Sequence, residues 1–149
     1  MITAVVVTYH PGDVSSLLAE FARQCDGVIV VDNGSAPAEV EALRGACDKT
    51  GSELVELGTN LGIAAAQNRG IELAKKRTAG SPKSSFVLLS DQDSMPAPDM
   101  VAKLLEAIEE DPAIAAVGPL PSEDREGADE LVYVDRGWAP KRASKAELK

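Results

Sequence analysis

Short β-branched runs recur along the chain, and each is closed by turn-forming residues. Thr3–Thr8 (TAVVVT) comes first, then Val28–Val31 (VIVV), Glu53–Leu57 (ELVEL), Phe86–Leu89 (FVLL) and Ala113–Val117 (AIAAV). Runs of this length and composition predict strands that are buried on most sides. The segments between them carry a different period. Val14, Leu17, Leu18 and Phe21 recur at i, i+3, i+4 and i+7, the stripe of an amphipathic helix. Asp13 is its expected N-cap and Gly27 its expected end. Pro37 suits the first turn of a second helix, with Val40, Leu43 and Cys47 on its inner face and Gly51 at its end. A third helix is predicted over Ile63–Lys76, and a fourth opens at Pro98-Asp99 with Val101, Leu104, Leu105 and Ile108 on one face.

Strand and helix thus alternate from residue 3 to residue 117. That alternation predicts an α/β fold, a Rossmann-like, mostly parallel sheet with helices on both faces. The charged ELVEL run belongs near a sheet edge, and the FVLL run reads as a central, fully buried strand. Ligands of such sheets bind beyond the carboxyl ends of the strands, so the residues there deserve the closest reading. After FVLL comes Ser90-Asp91-Gln92-Asp93-Ser94, stopped by Pro96. Residues two apart in a strand point to one side, so Asp91 and Asp93 can face one point. Paired carboxylates suit a hard divalent cation that completes its shell with water and phosphate oxygens. The competing reading is a pair of acids in a solvated turn. After VIVV comes Asp32-Asn33-Gly34-Ser35, a second acid just past a buried strand. That tetrapeptide is equally good turn and helix-cap chemistry.

The loop Gly58-Thr59-Asn60-Leu61-Gly62 leads into the third helix, which is rich in small residues: Ala64, Ala65, Ala66, Gly70 and Ala74. Asn60, Gly62, Asn68 and Gly70 form an N-x-G-x(5)-N-x-G pattern. Small residues let a backbone approach either a ligand or the neighbouring sheet closely, and both readings stay open from the pattern alone.

Composition narrows the class of ligand. Of 149 residues, 44% are hydrophobic and 26% charged, sufficient for one real core. Aromatics are only 3%, which argues against base-stacking nucleic-acid binders. The formal net charge of −9 also disfavours nucleic acid. A phosphorylated ligand is compatible only if a metal ion or backbone N–H groups offset the repulsion. Cys25 and Cys47 lack metal-ligand spacing and read as two buried thiols, which fits a reducing cytosol. Met1–Tyr9 does not resemble a signal peptide. Beyond Pro119, Pro121–Glu130 reads as an acidic loop, Leu131–Val134 as a short strand, and the stretch from Arg136 to Lys149 as a frayed basic tail. The expected division is therefore a ligand-binding α/β domain over residues 1–120 and a remainder over 121–149.

Taken in order, Val5-Val6-Val7-Thr8-Tyr9, Val31-Asp32-Asn33-Gly34-Ser35, Asn60-Leu61-Gly62, Ala66-Gln67-Asn68-Arg69-Gly70 and Ser90-Asp91-Gln92-Asp93-Ser94 resemble the nucleotide-binding half of family 2 glycosyltransferases with the GT-A fold. The Asp-Gln-Asp-Ser form is most similar to the rhamnosyltransferase branch. The resemblance covers residues 2–120. It implies a site for a nucleotide-sugar donor, a dTDP- or UDP-sugar, and transfer to a saccharide or lipid-linked acceptor. It implies that Asp32 contacts the base or ribose, that Thr8 and Tyr9 line the base, and that Asn68 and Gly70 lie beside the nucleotide. It further implies that Asp91 and Asp93 hold Mg²⁺ or Mn²⁺ bridging the diphosphate.

In an inverting transfer a separate carboxylate takes the acceptor proton. The family carries that base in a second half, and this chain stops soon after the fifth run. Glu123, Asp124, Glu126 and Asp129 are acids in the right general order but match no motif, so the catalytic base is unassigned. The resemblance thus implies a donor half without its acceptor half, and three origins stay open for it: a truncated chain, which could be inactive alone, an interrupted reading frame, or a natural short protein. The two thiols fit the cytoplasm, and the basic tail could touch anionic lipid, a peripheral place at the inner membrane face. Two alternatives stand beside the glycosyltransferase reading. A haloacid-dehalogenase-type phosphatase also sets D-x-D after a strand, though usually the first one. A non-catalytic nucleotide-binding or self-associating module, a homo-oligomer, would use an exposed sheet edge. His10 reads as a surface loop residue, and Trp138 as packing for the last strand.

Overall fold

In the computed structural model, which describes residues 1–79, 85–119, 133–135 and 140–142, the first β-branched run forms β1 (Ile2–Thr8). Then follow α1 (Ser15–Gln24), β2 (Gly27–Asp32), α2 (Pro37–Thr50), β3 (Glu53–Glu56), α3 (Ile63–Thr78), β4 (Phe86–Asp91) and α4 (Met100–Glu109). The four strands pair in parallel, in the order β3-β2-β1-β4. The chain divides into two compact units, Met1–Lys103 and Leu104–Lys149, and the whole sheet lies in the first.

The valines of β1 and β2 serve both faces of the sheet because successive side chains alternate across it. Ala4, Val6, Val28 and Val30 pack against Leu17, Leu18 and Phe21 of α1 and Leu43, Ala46 and Cys47 of α2. Val5, Val7, Ile29 and Val31 pack against Ala66 and Ala74 of α3. With helices on both sides, these two strands need apolar residues at every position, which is why they read as unbroken β-branched runs. Phe21 and Leu18 are fully buried, and each such side chain contributes about 1.5–3 kcal/mol relative to exposure. The third helix sits closer to the sheet than side chains would allow. A Cβ on Gly70 would lie 2.2 Å from a Val5 methyl and 3.3 Å from a Val31 methyl. The small-residue stripe therefore serves helix–sheet packing at this position.

The helix ends follow ordinary chemistry, with two shifts. Pro37 opens α2, and Gly51 closes it at φ 68°, its N–H donating to the Cys47 carbonyl. The first helix ends earlier than its glycine signal indicates. Cys25 is extended and already caps α1, and Gly27 belongs to β2. A Cβ at Gly27 would stand 2.9 Å from the Arg77 guanidinium. Asp13 lies one residue before the N-cap Val14, and its carboxylate accepts the Ser15 N–H at 2.9 Å.

Three expectations from the sequence are corrected. The β4 run is not a fully buried central strand, because β4 ends the order of the sheet. Register pairs Val87 with Thr3 and Leu89 with Val5, which places both on the α3 side. That helix lies over β1 and β2, so Val87 and Leu89 stay 37% and 45% exposed. Apolar content does not reveal which side of a strand has a partner. Next, residues 113–117 form no strand. Asp111 sets a turn at the start of that stretch, its carboxylate accepting the Ala113 N–H and its carbonyl the Ile114 N–H, and residues 114–117 follow as irregular chain. Finally, part of the basic tail is ordered as a strand. β5 (Tyr133–Asp135) and β6 (Pro140–Arg142) pair antiparallel. Such a ladder is made by backbone groups and needs little apolar content, and Pro140 takes the first position that a strand tolerates for proline. Glu123, Asp124, Glu126, Asp129 and Trp138 lie outside the described residues.

Candidate functional site

The strands β1, β2 and β4 end at one edge of the sheet, where Thr8 pairs with Asp32 and Val7 with Asp91. The backbone stays ordered one step beyond the ladder. Asn33 N–H donates to the Thr8 carbonyl at 2.8 Å, and Leu57 N–H to the Asp32 carbonyl at 3.0 Å.

Asp32 is buried, 1% exposed, and its carboxylate is fully engaged. One oxygen accepts the N–H groups of Gly34 and Ser35, each at 3.1 Å; the other accepts the Ser35 hydroxyl and, at 3.5 Å, the Thr8 hydroxyl. Donors of this kind compensate the cost of desolvating a charge. Asn33 is buried as well and ties the next loop down. Its side-chain oxygen accepts Leu61 N–H at 2.9 Å, and its amide donates to the Asn60 side-chain oxygen at 3.1 Å. The same Asn60 oxygen accepts Gly62 N–H at 2.9 Å. Gly34 makes this approach possible. Its φ is 94°, and a Cβ there would fall 2.5 Å from the Thr59 carbonyl carbon.

Above this floor opens a cleft of about 330 Å³, lined among others by Tyr9, Asn33, Asn60, Ile63, Asp91 and Asp93. Asp91 is the last residue of β4, whereas Asp93 stands in the turn that follows; both are exposed. Strand alternation alone therefore does not aim the two carboxylates, yet the turn brings both to the same cleft. Ile63, the first residue of α3, also lines it, which puts the positive end of that helix at the rim. Tyr9, Leu61 and Ile63 leave apolar surface exposed beside these polar groups.

Of the residues that the resemblance assigns to the site, Tyr9, Asp91 and Asp93 line the cleft. Asp32 is buried among its own loop's donors and the Thr8 hydroxyl, Thr8 is buried beside it, Gly70 is buried against the sheet, and Asn68 is exposed on α3. The cleft also takes in Asn33, Asn60 and Gln92, which the sequence reading placed within motifs and gave no role. Their signal was position: each is a polar residue in a loop that follows a strand. His10 stands in a surface loop at φ 47°, with Nδ1 2.7 Å from the Glu39 carboxylate.

The two acids fit one kind of metal. Among the described residues, no group of three or more His, Cys, Asp or Glu side chains could hold an ion. Two carboxylate side chains suit a cation such as Mg²⁺, which takes one or two carboxylates and completes its shell with water and ligand phosphates.

A parallel sheet with helices on both faces and a polar cleft at its carboxyl edge defines an α/β protein of the Rossmann-like kind. Residues 8–143 match the model of Glycosyl transferase family 2, and the chain belongs to that family. Members of the family use nucleotide-sugar donors and acceptors. The chain is similar to the dTDP-rhamnosyl transferase RfbF of Shigella flexneri, 35% identical over 105 residues, which cover 69% of this chain and 33% of the relative. It therefore spans about a third of that relative's length. Two structures of S. aureus TarS share the fold. TarS 1-349 aligns at a TM-score of 0.54 and 22% identity, over 73% of this chain and 32% of that one. A second TarS structure aligns at 0.55 and 23%, over 73% and 19%. The family assignment removes the phosphatase alternative. Among the described residues, no helix is long and apolar enough to cross a membrane.

Proposed function

We propose that the cleft binds the nucleotide-sugar donor of a glycosyl transfer, a dTDP- or UDP-sugar, together with Mg²⁺ or Mn²⁺. The observation that carries this reading is the convergence of Asp91 and Asp93 with Tyr9, Asn33 and Asn60 on one cleft at the carboxyl edge of the sheet. Tyr9 and Ile63 offer apolar surface to a flat ring, and Asn33 and Asn60 offer hydrogen-bonding groups to a base or ribose. Thr8 and Asp32 hold the floor on which those groups stand. The positive end of α3 favours the diphosphate, which matters in a chain of net charge −9. Asp91 and Asp93 would hold the cation, and when bound it stabilises charge on the departing diphosphate. The similarity to a dTDP-rhamnosyl transferase supports a thymidine nucleotide and rhamnose as the donor to try first, with a saccharide or lipid-linked hydroxyl as acceptor. In an inverting reaction a carboxylate on the opposite face of the sugar takes the acceptor proton; no described residue is assigned to that task.

The test is thermal unfolding with dTDP, UDP and their sugars, with and without Mn²⁺, on the wild type and Asp93→Asn. Ligand at about 100 times its Kd stabilises a fold by about 2.7 kcal/mol. A Mn²⁺-dependent rise in Tm that Asp93→Asn abolishes is the expected result. No rise with any nucleotide overturns the donor site, and a rise that survives the substitution overturns the metal role. The exposed Val87 and Leu89 on the α3 side of the outer strand favour a second reading, association of the chain through that apolar face. Light scattering over a concentration series tests it, and a monomer at every concentration removes it.

A further inference from the structure

The D-Q-D turn holds one residue whose role the donor site does not yet explain. The ladder between β1 and β4 ends at Val7 and Asp91. Beyond it the Gln92 side chain spans the two loops. Its oxygen accepts Tyr9 N–H at 2.8 Å, and its amide nitrogen donates to the Tyr9 carbonyl at 3.1 Å. One side-chain amide thus engages both backbone groups of a single residue, as a neighbouring strand does in a parallel ladder. The other flank of the same loop is held from β2's side, where His10 N–H donates to the Ser35 hydroxyl at 3.0 Å.

We propose that Gln92 is a positioning residue: its amide, docked on the Tyr9 backbone, sets the spacing between the Tyr9 side of the cleft and the carboxylates of Asp91 and Asp93. The inference rests on the donor-site reading and deepens it. The role demands an acceptor and a donor on one planar group. Asn is one methylene too short. Glu lacks the donor and would set a carboxylate against the Tyr9 carbonyl. Met matches the length of Gln and lacks both bonds. A nucleoside diphosphate reaches from the Tyr9 side to the acids and depends on that spacing, whereas pyrophosphate meets the acid side alone.

Calorimetry on the full chain, wild type against Gln92→Met, compares dTDP or UDP with inorganic pyrophosphate, each in Mn²⁺. The Kd for the nucleoside diphosphate should rise about tenfold, a loss of about 1.4 kcal/mol, and that for pyrophosphate should stay unchanged. Equal weakening of both ligands means a merely structural role and overturns the proposal, as does an unchanged nucleoside diphosphate Kd. Hydrogen exchange at the Tyr9 amide reads the clamp without ligand: it should accelerate in Gln92→Met, and unchanged protection also overturns the proposal. Wild type that binds neither ligand while the Tyr9 amide still responds to the substitution fails the donor-site reading and takes the positioning role with it. Wild type that binds both, with no selective loss in the variant, overturns the positioning role alone.

Discussion

Asp32 and Asp91 both terminate a strand of the same sheet, and both are followed by a polar turn, yet they differ in almost every physical respect. Asp32 ends β2, which has a strand on either side, and it is buried under its own loop with two N–H donors and two hydroxyls on its carboxylate. Asp91 ends the outermost strand and is exposed, with Asp93 two residues on. Position in the sheet makes the difference. A central strand end is roofed by loops from both neighbours, whereas an outer one lacks a neighbour on one side and leaves its acids open to a ligand. The first acid builds the floor of the cleft, and the second pair stays exposed at its rim.

Substitutions can break this contrast. Asp32→Ala should have the largest effect on stability. It orphans the Gly34 and Ser35 N–H groups and empties a buried site, at a cost of roughly 3 kcal/mol, since hydrogen bonds to charged groups each contribute about 1.5–3 kcal/mol. Chemical denaturation should show that loss with an unchanged m-value; a variant as stable as the wild type would mean that the floor does not depend on Asp32. Asn33→Ala should follow, at about 1–3 kcal/mol, because it removes the acceptor for the Leu61 N–H and releases Asn60. Its nucleotide affinity should fall as well, since Asn33 lines the cleft.

Asp91→Asn and Asp93→Asn should leave Tm of the unliganded protein where it was, because neither exposed acid sits in a described ion pair. A clear fall in Tm would show that these acids, too, are structural and would erase the contrast. The smallest effect concerns Glu39, whose carboxyl is held below the ordinary glutamate range by the Ala36 N–H and then by His10. A lowered value in the fold stabilises it above the unfolded pKa, about 4.3, and that contribution is lost as pH falls through the folded value. The difference in denaturation midpoint between wild type and Glu39→Gln should therefore be larger at pH 7 than at pH 3. An equal difference at both would mean that Glu39 acts through packing alone.

Much of the first unit was legible in order. β-branched runs gave away β1 and β2 because both faces of those strands are covered. The stripe Val14, Leu17, Leu18, Phe21 marked α1, and its residues are all buried. Residues 113–117 were not legible as irregular chain behind a turn. An apolar run declares a preference for burial, but a strand also needs a ladder partner, and Asp111 offers that backbone local hydrogen bonds instead. Gly27 misled for a similar reason: glycine after a helix signals a cap, while here Cys25 caps α1 and Gly27 sits beside Arg77 in β2. The site was half legible. Asp91 and Asp93 stood out by type and spacing, whereas Gln92 and Asn33 did not, because an amide in a turn looks the same whether it faces solvent or binds a neighbouring loop.

The sequence by itself determined the alternation of strand and helix, the two acids two residues apart after the FVLL run, and the ordered motifs of a family 2 glycosyltransferase. These are local: periodicity, turn chemistry and residue type act within a few positions along the chain. Only the tertiary structure decided that β4 is outermost, that Gly70 serves the Val5 contact, and that Asp32 is floor while Asp91 is rim. Each of those depends on residues twenty or more positions away in sequence, and burial and hydrogen-bond partnership are properties of the neighbours that folding supplies.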